Sequence, residues 1–517
     1  MKLAAIDIGT NSIHMLIAEA TSQGGFNILD REKEMAKLGV GVFASNYISD
    51  RAFKVGLESI TRYVQLADRL GVDEIITAAT SAIREAHNGE SFLSEVVAQT
   101  GLRPRIISGQ EEAKLIFLAV RNSIALEGES ALVLDIGGGS TEAVVGDRNK
   151  ILFKESMPLG VLRLLDMFAD GGTVGAEGRN VLEAHIRFVA EQIFDKIHQL
   201  GFDRVIGTSG TIRTMGEAAH IAAGGKSWRS VNAQVAQLKD IDSLTQKLLD
   251  LEQEERAKVD EISSKRADAI HLGGVLLVQL LKMAEVKEIT LCDASLREGM
   301  ILDYLQRHSQ EVVALPESTL RHRKAAHLVH KYESDWSENV HVAKLATQIF
   351  DKTQTIHEYS NFEREILEFA ALLHDVGQFI SFRKHHKNSR YILKRTDPRG
   401  FTDEEMLIIG HLVRYHCKAK PTKKHTKFKK LTKQHRRMVR VLSGILRVAV
   451  ALNKTKNQRV QQIDCEISSK KLLLKVSGSK NLEVEVWAAC RYRHVLAESL
   501  ERQVEIQALH RNEMVKQ

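Results

Sequence analysis

Two stretches of this chain can be laid on one another. Ala131–Asp147 reads ALVLDIGGGSTEAVVGD, and near the N-terminus Ala4–Ala20 reads AAIDIGTNSIHMLIAEA. Each is an apolar strand, a short loop of small and hydroxyl residues, and a second apolar strand. Aligning Asp7-Ile8-Gly9 on Asp135-Ile136-Gly137 sets Thr10, Asn11 and Ser12 against Gly138, Gly139 and Ser140. A lone glycine cluster is ordinarily a tight turn in a sheet. Two like units so far apart imply two like domains. Their loops would face across a cleft.

The loops suit a phosphate. Gly137, Gly138 and Gly139 free the backbone for positive φ and for close approach to a ligand. With Ser140 and Thr141 following, consecutive N–H groups and two hydroxyls meet an oxyanion. Asp135 enters this loop and Glu142 leaves it, a pair suited to a hard cation such as Mg²⁺. Further along, strand Glu74–Ala79 ends at Thr80-Ser81-Ala82-Ile83-Arg84. Arg84 is equally a phosphate ligand or a surface arginine on a helix. Ser108 three residues before Glu111 has capping-box form and starts a helix through Ala119. Glu112 lies on another face of that helix, where no capping rule asks for an acid. Val205–Thr214 predicts a third strand leading into a Gly/Thr/Ser loop, with Ser209, Gly210 and Thr211 offered to phosphate.

Helical periodicity covers Asp50–Gly71, then Glu177–Leu200 with an apolar stripe of Val181, Ile186, Val189 and Ile193, then Glu261–Met283. Strands alternating with helices, twice over, predict an α/β fold of two similar domains.

At 517 residues the chain has length for three or four domains. No stretch is long and apolar enough to span a bilayer, and Asp7 interrupts the place where a signal peptide needs its apolar core. A cytoplasmic protein is expected. Cys292, Cys417, Cys465 and Cys490 lie far apart with no paired spacing, which indicates neither a zinc site nor a disulfide framework. The formal charge of +7 favours an anionic partner.

The three Gly/Ser/Thr loops, the T-S-A-I-R-E turn and the S-G-x-E-E-A helix start, in this order, resemble the exopolyphosphatase/guanosine pentaphosphate phosphohydrolase family. The resemblance implies two ribonuclease-H-like domains of the acetate/sugar kinase and actin-like superfamily, over 1–125 and 126–308. It implies next an all-α HD-like domain over 309–457 and a small α/β domain over 458–517. Carried over residue by residue, Glu112 matches the family's catalytic glutamate, which activates water. Asp135 and Glu142 match acidic positions near Mg²⁺ and the attacking water, and Asp7 matches the carboxylate of the first loop. Asn11, Ser12, Arg84, Gly137, Gly138, Gly139, Ser140, Ser209, Gly210 and Thr211 would hold phosphate oxygens. The implied activity is release of terminal orthophosphate from inorganic polyphosphate, with guanosine pentaphosphate as the alternative substrate, in a homodimer. A kinase of the same superfamily would need an adenosine pocket and an acceptor hydroxyl, and neither is identifiable. A non-catalytic polyanion sensor would not need Glu112, Asp135 and Glu142.

In the C-terminal half, Pro316 marks a boundary, and basic helix Leu320–Lys331 follows. His341, the pair His374-Asp375, then His385, His386, His411 and His416 resemble the HD superfamily, where a histidine, a His-Asp pair and a distal aspartate bind a metal. Asn453 stands where that aspartate is expected, so a scaffold of hydrogen-bonded histidines is the preferred reading. Lys418–Arg440 is densely basic; few aromatics interleave, which argues against stacking on single-stranded nucleic acid. Its Lys423, Lys424 and Lys427 are offered to a long polyphosphate. Ile463–Trp487 predicts strands with turns at Ser468-Ser469 and Gly478-Ser479, and Ala488–Leu509 a helix.

Overall fold

The computed structural model of the protein describes residues 1–21, 25–169, 174–308, 320–396, 400–478 and 481–509. Pro316 and Ser479, predicted at a boundary and a turn, lie outside the described residues. The chain divides into two compact units, Met1–Leu320 and Arg321–Gln517.

The first unit contains two sheets built to one plan. In the first, β1 (Lys2–Ile8), β2 (Ile13–Ala20), β3 (Phe26–Glu34), β4 (Glu74–Ala79) and β5 (Arg105–Ile106) run in the order β3-β2-β1-β4-β5. The second comprises β6 (Ala131–Ile136), β7 (Thr141–Gly146), β8 (Ile151–Met157), β9 (Arg204–Thr208), β10 (Val235–Gln237) and β11 (Glu288–Leu291). Its order is β10-β11-β9-β6-β7-β8. Leaving out the edge strand β10, the two orders coincide: an antiparallel meander of three strands, then two parallel ones. The pairing registers coincide as well, since Asp7 opposes His14 in β1–β2 and Asp135 opposes Glu142 in β6–β7. The central strands are buried along nearly their whole length, as strands covered on both faces must be.

Helix Ala176–Leu200 ends at Gly201, whose φ of 71° suits a residue without Cβ. Its core stripe differs from the one its periodicity predicts. Leu182, Ile186, Ala190, Phe194 and Ile197 are buried, whereas Val181 is 59% exposed. The stripe is displaced because Ala190 counts for little on a hydropathy pattern yet is fully buried in the same core. The helix predicted over Glu261–Met283 is Ile270–Met283, because the chain before it is broken into turns with Glu261 at φ 66°.

The second unit is mostly helical. Its long helices Trp336–Lys352, Asn361–Leu372, Asp403–Tyr415 and Lys433–Leu452 surround one apolar core. That core continues into a small sheet, β12 (Val460–Ile467), β13 (Lys471–Gly478) and β14 (Gln503–Ala508). The predicted helix Ala488–Leu509 is thus corrected. Helices Glu483–Tyr492 and His494–Leu500 stop at Glu501 with φ 54°. Val504 and Ile506 then alternate into the core at the strand period, parallel to β13. Among the described residues no helix is long and apolar enough to cross a membrane, and all four cysteines are free.

Leu182→Ala should destabilise the protein by about 2–5 kcal/mol, as buried leucine truncations do. Val181→Ala should stay within about 0.5 kcal/mol of the parent. Urea denaturation followed by circular dichroism checks this, and equal costs at both positions would refute the packing described.

Candidate active site

The hairpins β1–β2 and β6–β7 turn at matching loops. Gly9 N donates to Ser12 O at 3.2 Å, and Gly137 N to Ser140 O at 2.9 Å. The serine in each loop bonds to the residue opposite the aspartate: Ser12 Oγ lies 2.6 Å from His14 Nε2, and Ser140 hydrogen-bonds Glu142. The glycines act differently from the sequence expectation. None of Gly137, Gly138 and Gly139 has positive φ. What forbids a side chain is proximity: a Cβ on Gly138 would lie 2.9 Å from Thr10 Cβ, and one on Gly139 2.4 Å from Ser81 Oγ. The second loop is packed onto the first and onto the end of β4.

Between them opens a cleft of about 560 Å³. It is lined by Asp7, Asn11, Ser12, Glu112, Asp135, Gly137, Gly138, Gly139, Ser140, Ser209, Gly210 and Thr211, all predicted from sequence. Ser209–Thr211 is the first turn of helix Ser209–Ala222 and not a loop. A helix start serves an anion well, because its N–H groups lack intrahelical partners. Ser209 sits at φ 85°, a conformation that costs a non-glycine residue about 1–3 kcal/mol, and its hydroxyl accepts from Ile212 N.

Two predicted residues stand beside the cleft lining. Arg84 borders an adjoining cavity of about 340 Å³; it donates to Ile107 O at 2.7 Å and approaches Glu112 Oε2 to 3.7 Å. Glu142 is 2% exposed and accepts from Ser156 Oγ at 2.8 Å. Lys423, Lys424 and Lys427 belong to the second unit, where they are exposed around the short helix Thr426–Lys429. The capping box at Ser108 is half formed: Ser108 Oγ accepts from Glu111 N, while the Glu111 carboxylate pairs with Arg105. Glu112, one residue on, is left to face the cleft.

Four carboxyls crowd this space, and burial raises each. Asp7 is pushed up to about 6 against the opposing Arg297. Glu142 rises to about 7 despite its bonds from Ser140 and Ser156. Glu112 and Asp135 lie well above the usual carboxylate range, through burial first and then the neighbouring acids, with Arg84 opposing at Glu112. Asp7 Oδ1, Asn11 Oδ1 and Glu112 Oε2 are buried without a hydrogen-bond partner. Oxygen donors with orphaned atoms suit a hard divalent cation in kind, although Asp7, Asp135 and Glu142 do not close into one three-ligand group as they stand.

Basic residues line the cleft as well, together with the further acids Glu32, Glu217, Glu261, Asp268 and Asp293. Arg31, Lys33, Arg213, Arg266 and Arg297 line the same cleft. Burial and the charges of Arg266, Arg297, Lys265 and Arg213 push Lys33 down to about 8. Burial, then the charges of Arg297, Lys33 and Arg266, drive His14 of the same cleft down to about 2, so it stays neutral. Sequence reasoning missed these residues. His14 was findable as the partner of Glu142 in the hairpin alignment, and Arg297 belongs to the S-L-R-E-G stretch after β11. Arg213 and Arg266 carry no motif.

Residues 16–308 match the model of the Ppx/GppA phosphatase family, and residues 320–498 match that of Ppx/GppA phosphatase, domain III. The guanosine-5'-triphosphate,3'-diphosphate pyrophosphatase of Aeromonas hydrophila is 28% identical over 412 residues, 79% of each chain. A crystal structure of an exopolyphosphatase from Cytophaga hutchinsonii is similar at 27% identity with a TM-score of 0.56, covering 60% of this chain and 99% of that one. The Aquifex aeolicus member of the Ppx/GppA family is similar at 25% identity with a TM-score of 0.51, again over 60% and 99%.

Ser156→Ala removes a donor that favours ionised Glu142. Losing a hydrogen bond to a charged group raises that pKa by about one unit. The acid limb of the pH–rate profile should therefore move to higher pH by about that amount. An unmoved limb would show that Glu142 ionisation does not control turnover.

Proposed function

Because the chain belongs to the Ppx/GppA phosphatase family and is a hydrolase of phosphoric anhydrides, we propose that its substrate is inorganic polyphosphate, from which it releases terminal orthophosphate. The observation that carries this reading is the spread of cations along the cleft. Lys33, Arg213, Arg266 and Arg297 line it beside the acids Glu32, Glu217, Glu261, Asp268 and Asp293, and basic groups drawn from several elements suit the successive phosphates of a chain.

Hydrolysis of a phosphoric anhydride needs in-line positioning and neutralised oxygens more than covalent chemistry. The N–H groups and hydroxyls of Asn11, Ser12, Gly137–Ser140 and Ser209–Thr211 hold the terminal phosphoryl oxygens. Asp7, Asp135 and Glu142 are the residues that would hold Mg²⁺, which would supply positive charge to the phosphoryl oxygens. Glu112 takes the proton from the attacking water. Its raised pKa makes it a stronger base once ionised, and Arg84 at 3.7 Å favours the ionised form and fixes its direction. As the water oxygen bonds to the terminal phosphorus, the anhydride P–O bond to the rest of the chain breaks; the shortened polyphosphate leaves, orthophosphate is released, and Glu112 returns its proton to solvent. Lys423, Lys424 and Lys427 give a long chain a further electrostatic surface on the second unit. A second reading, hydrolysis of guanosine pentaphosphate to the tetraphosphate, is favoured by the name of the Aeromonas hydrophila relative and uses the same cleft chemistry.

Glu112→Gln should lower kcat by about 10²–10⁴-fold with little change in KM, since a base assists the transition state more than it binds substrate. A mutant with parental kcat would remove Glu112 from that role.

Orthophosphate release from long polyphosphate, short polyphosphate and guanosine pentaphosphate, compared as kcat/KM, decides the substrate. Long polyphosphate should be preferred, and its KM should rise with salt more steeply than that of the short chain, as for other polyanions that displace counterions. Replacing Lys423, Lys424 and Lys427 by glutamine should flatten the difference. A higher kcat/KM for guanosine pentaphosphate would establish the second reading instead.

A further inference from the structure

Phosphate chemistry in the first unit leaves unused a group of imidazoles in the second. His374 and Asp375 follow helix Asn361–Leu372, His385 opens helix His385–Arg395, and His416 caps helix Asp403–Tyr415. Three ring nitrogens converge on one carboxylate. His385 Nε2 and His416 Nε2 lie 3.5 and 4.0 Å from Asp375 Oδ1, and His374 Nε2 lies 3.6 Å from Oδ2. All three rings are turned by the same device: Nδ1 of His374, His385 and His416 meets the carbonyl oxygens of Ala371, Phe382 and Val413 at 2.7, 3.1 and 2.7 Å. A nitrogen facing a carbonyl oxygen at that distance carries the proton, which leaves the Nε2 lone pairs pointing inward.

That arrangement is unfavourable when empty. His385 Nε2 and His416 Nε2 stand only 3.1 Å apart, two lone pairs facing each other beside a carboxylate. A cation between them removes the conflict. With metal–nitrogen distances of about 2.0–2.1 Å, tetrahedral ligands are separated by about 3.3–3.4 Å, and the separations of 3.1, 3.5 and 4.0 Å bracket that edge. Nδ1–H bonded to a backbone carbonyl is the outer-shell support that metal-bound histidines ordinarily have. His416 is 2% exposed, while Asp375 and His385 are partly open, which leaves a route for entry.

We propose that Asp375, His385 and His416 bind one divalent ion of borderline softness, Zn²⁺ by ligand type. Two imidazoles exclude Mg²⁺, which takes oxygen ligands. This set differs from the one implied by the HD resemblance. Asn453 does not bear on it, since its Nδ2 donates to Glu338 at 2.6 Å and its Oδ1 accepts from Gln458 N. A competing trio, His385, His386 and Cys417, shares His385 and would bring a thiolate. It is the weaker candidate, because Cys417 Sγ stands 3.8 Å from His385 Nε2 and would have to lose its proton. The ion would tie together three helix ends, two of which are already joined by Ser389 Oγ, which donates to His374 O at 2.7 Å.

The test uses the full chain, stripped with a chelator and dialysed against Zn²⁺ or Co²⁺, with metal counted by mass spectrometry. His385→Ala and His416→Ala should each lose one equivalent relative to the parent, while Asp135→Asn in the cleft and Cys417→Ser should keep it. The Co²⁺ form should show strong visible bands of a tetrahedral site and no thiolate charge-transfer band. Should His416→Ala not fold by circular dichroism, His385→Ala decides alone, its ring being partly exposed. Retention of the equivalent in the folded histidine variants, or its loss in Cys417→Ser, overturns the proposal.

Discussion

The contact between the two hairpin loops is the constraint on which the site depends. Gly138 against Thr10 and Gly139 against Ser81 let two backbones approach to a distance that no Cβ permits. That approach places Asp7 of one sheet in the field of Asp135 and Glu112, whose raised pKa values include its charge. Carboxylates buried together are costly unless a cation or a hydrogen-bond donor meets them. The cleft therefore gathers carboxyls whose burial holds their pKa values above the ordinary range.

Duplication explains the geometry, and divergence explains the chemistry. The two hairpins keep the same register, the same N–H to carbonyl bond across the loop and the same serine bonded to the residue opposite the aspartate. What differs is that opposite residue, His14 in one half and Glu142 in the other. A neutral imidazole adds no charge, so the first hairpin brings one carboxyl, Asp7, where the second brings two, Asp135 and Glu142. Around His14 the chain could then gather Lys33, Arg266 and Arg297 without neutralising them.

The second unit obeys other rules. Its helices bury one face each around a core that runs on into the small sheet, and its polar chemistry sits at helix ends. There the imidazoles are directed by backbone carbonyls, because the last carbonyls of a helix have no intrahelical partner and accept from a ring N–H instead.

Much of the first unit was legible in the sequence because it rests on local pattern. Strand β4 and the strands around the two loops follow from apolar runs bounded by glycine and hydroxyl residues, and the repeat of D-I-G implied two like domains before any contact was known. The phosphate-loop residues and Glu112 were named from motif and resemblance, and the structure gathers them in one cleft. What only the tertiary structure decided are relations between distant segments. The reason for the glycines, close approach and not positive φ, lies in Thr10 and Ser81. The cleft draws its cations Lys33, Arg213, Arg266 and Arg297 from separate elements, and the meeting of Asp375 with His385 and His416 depends on how three helix ends pack. A strand's period and a loop's composition are set by neighbours in the chain; charge at a site is set by neighbours in space, which the order of residues does not spell out.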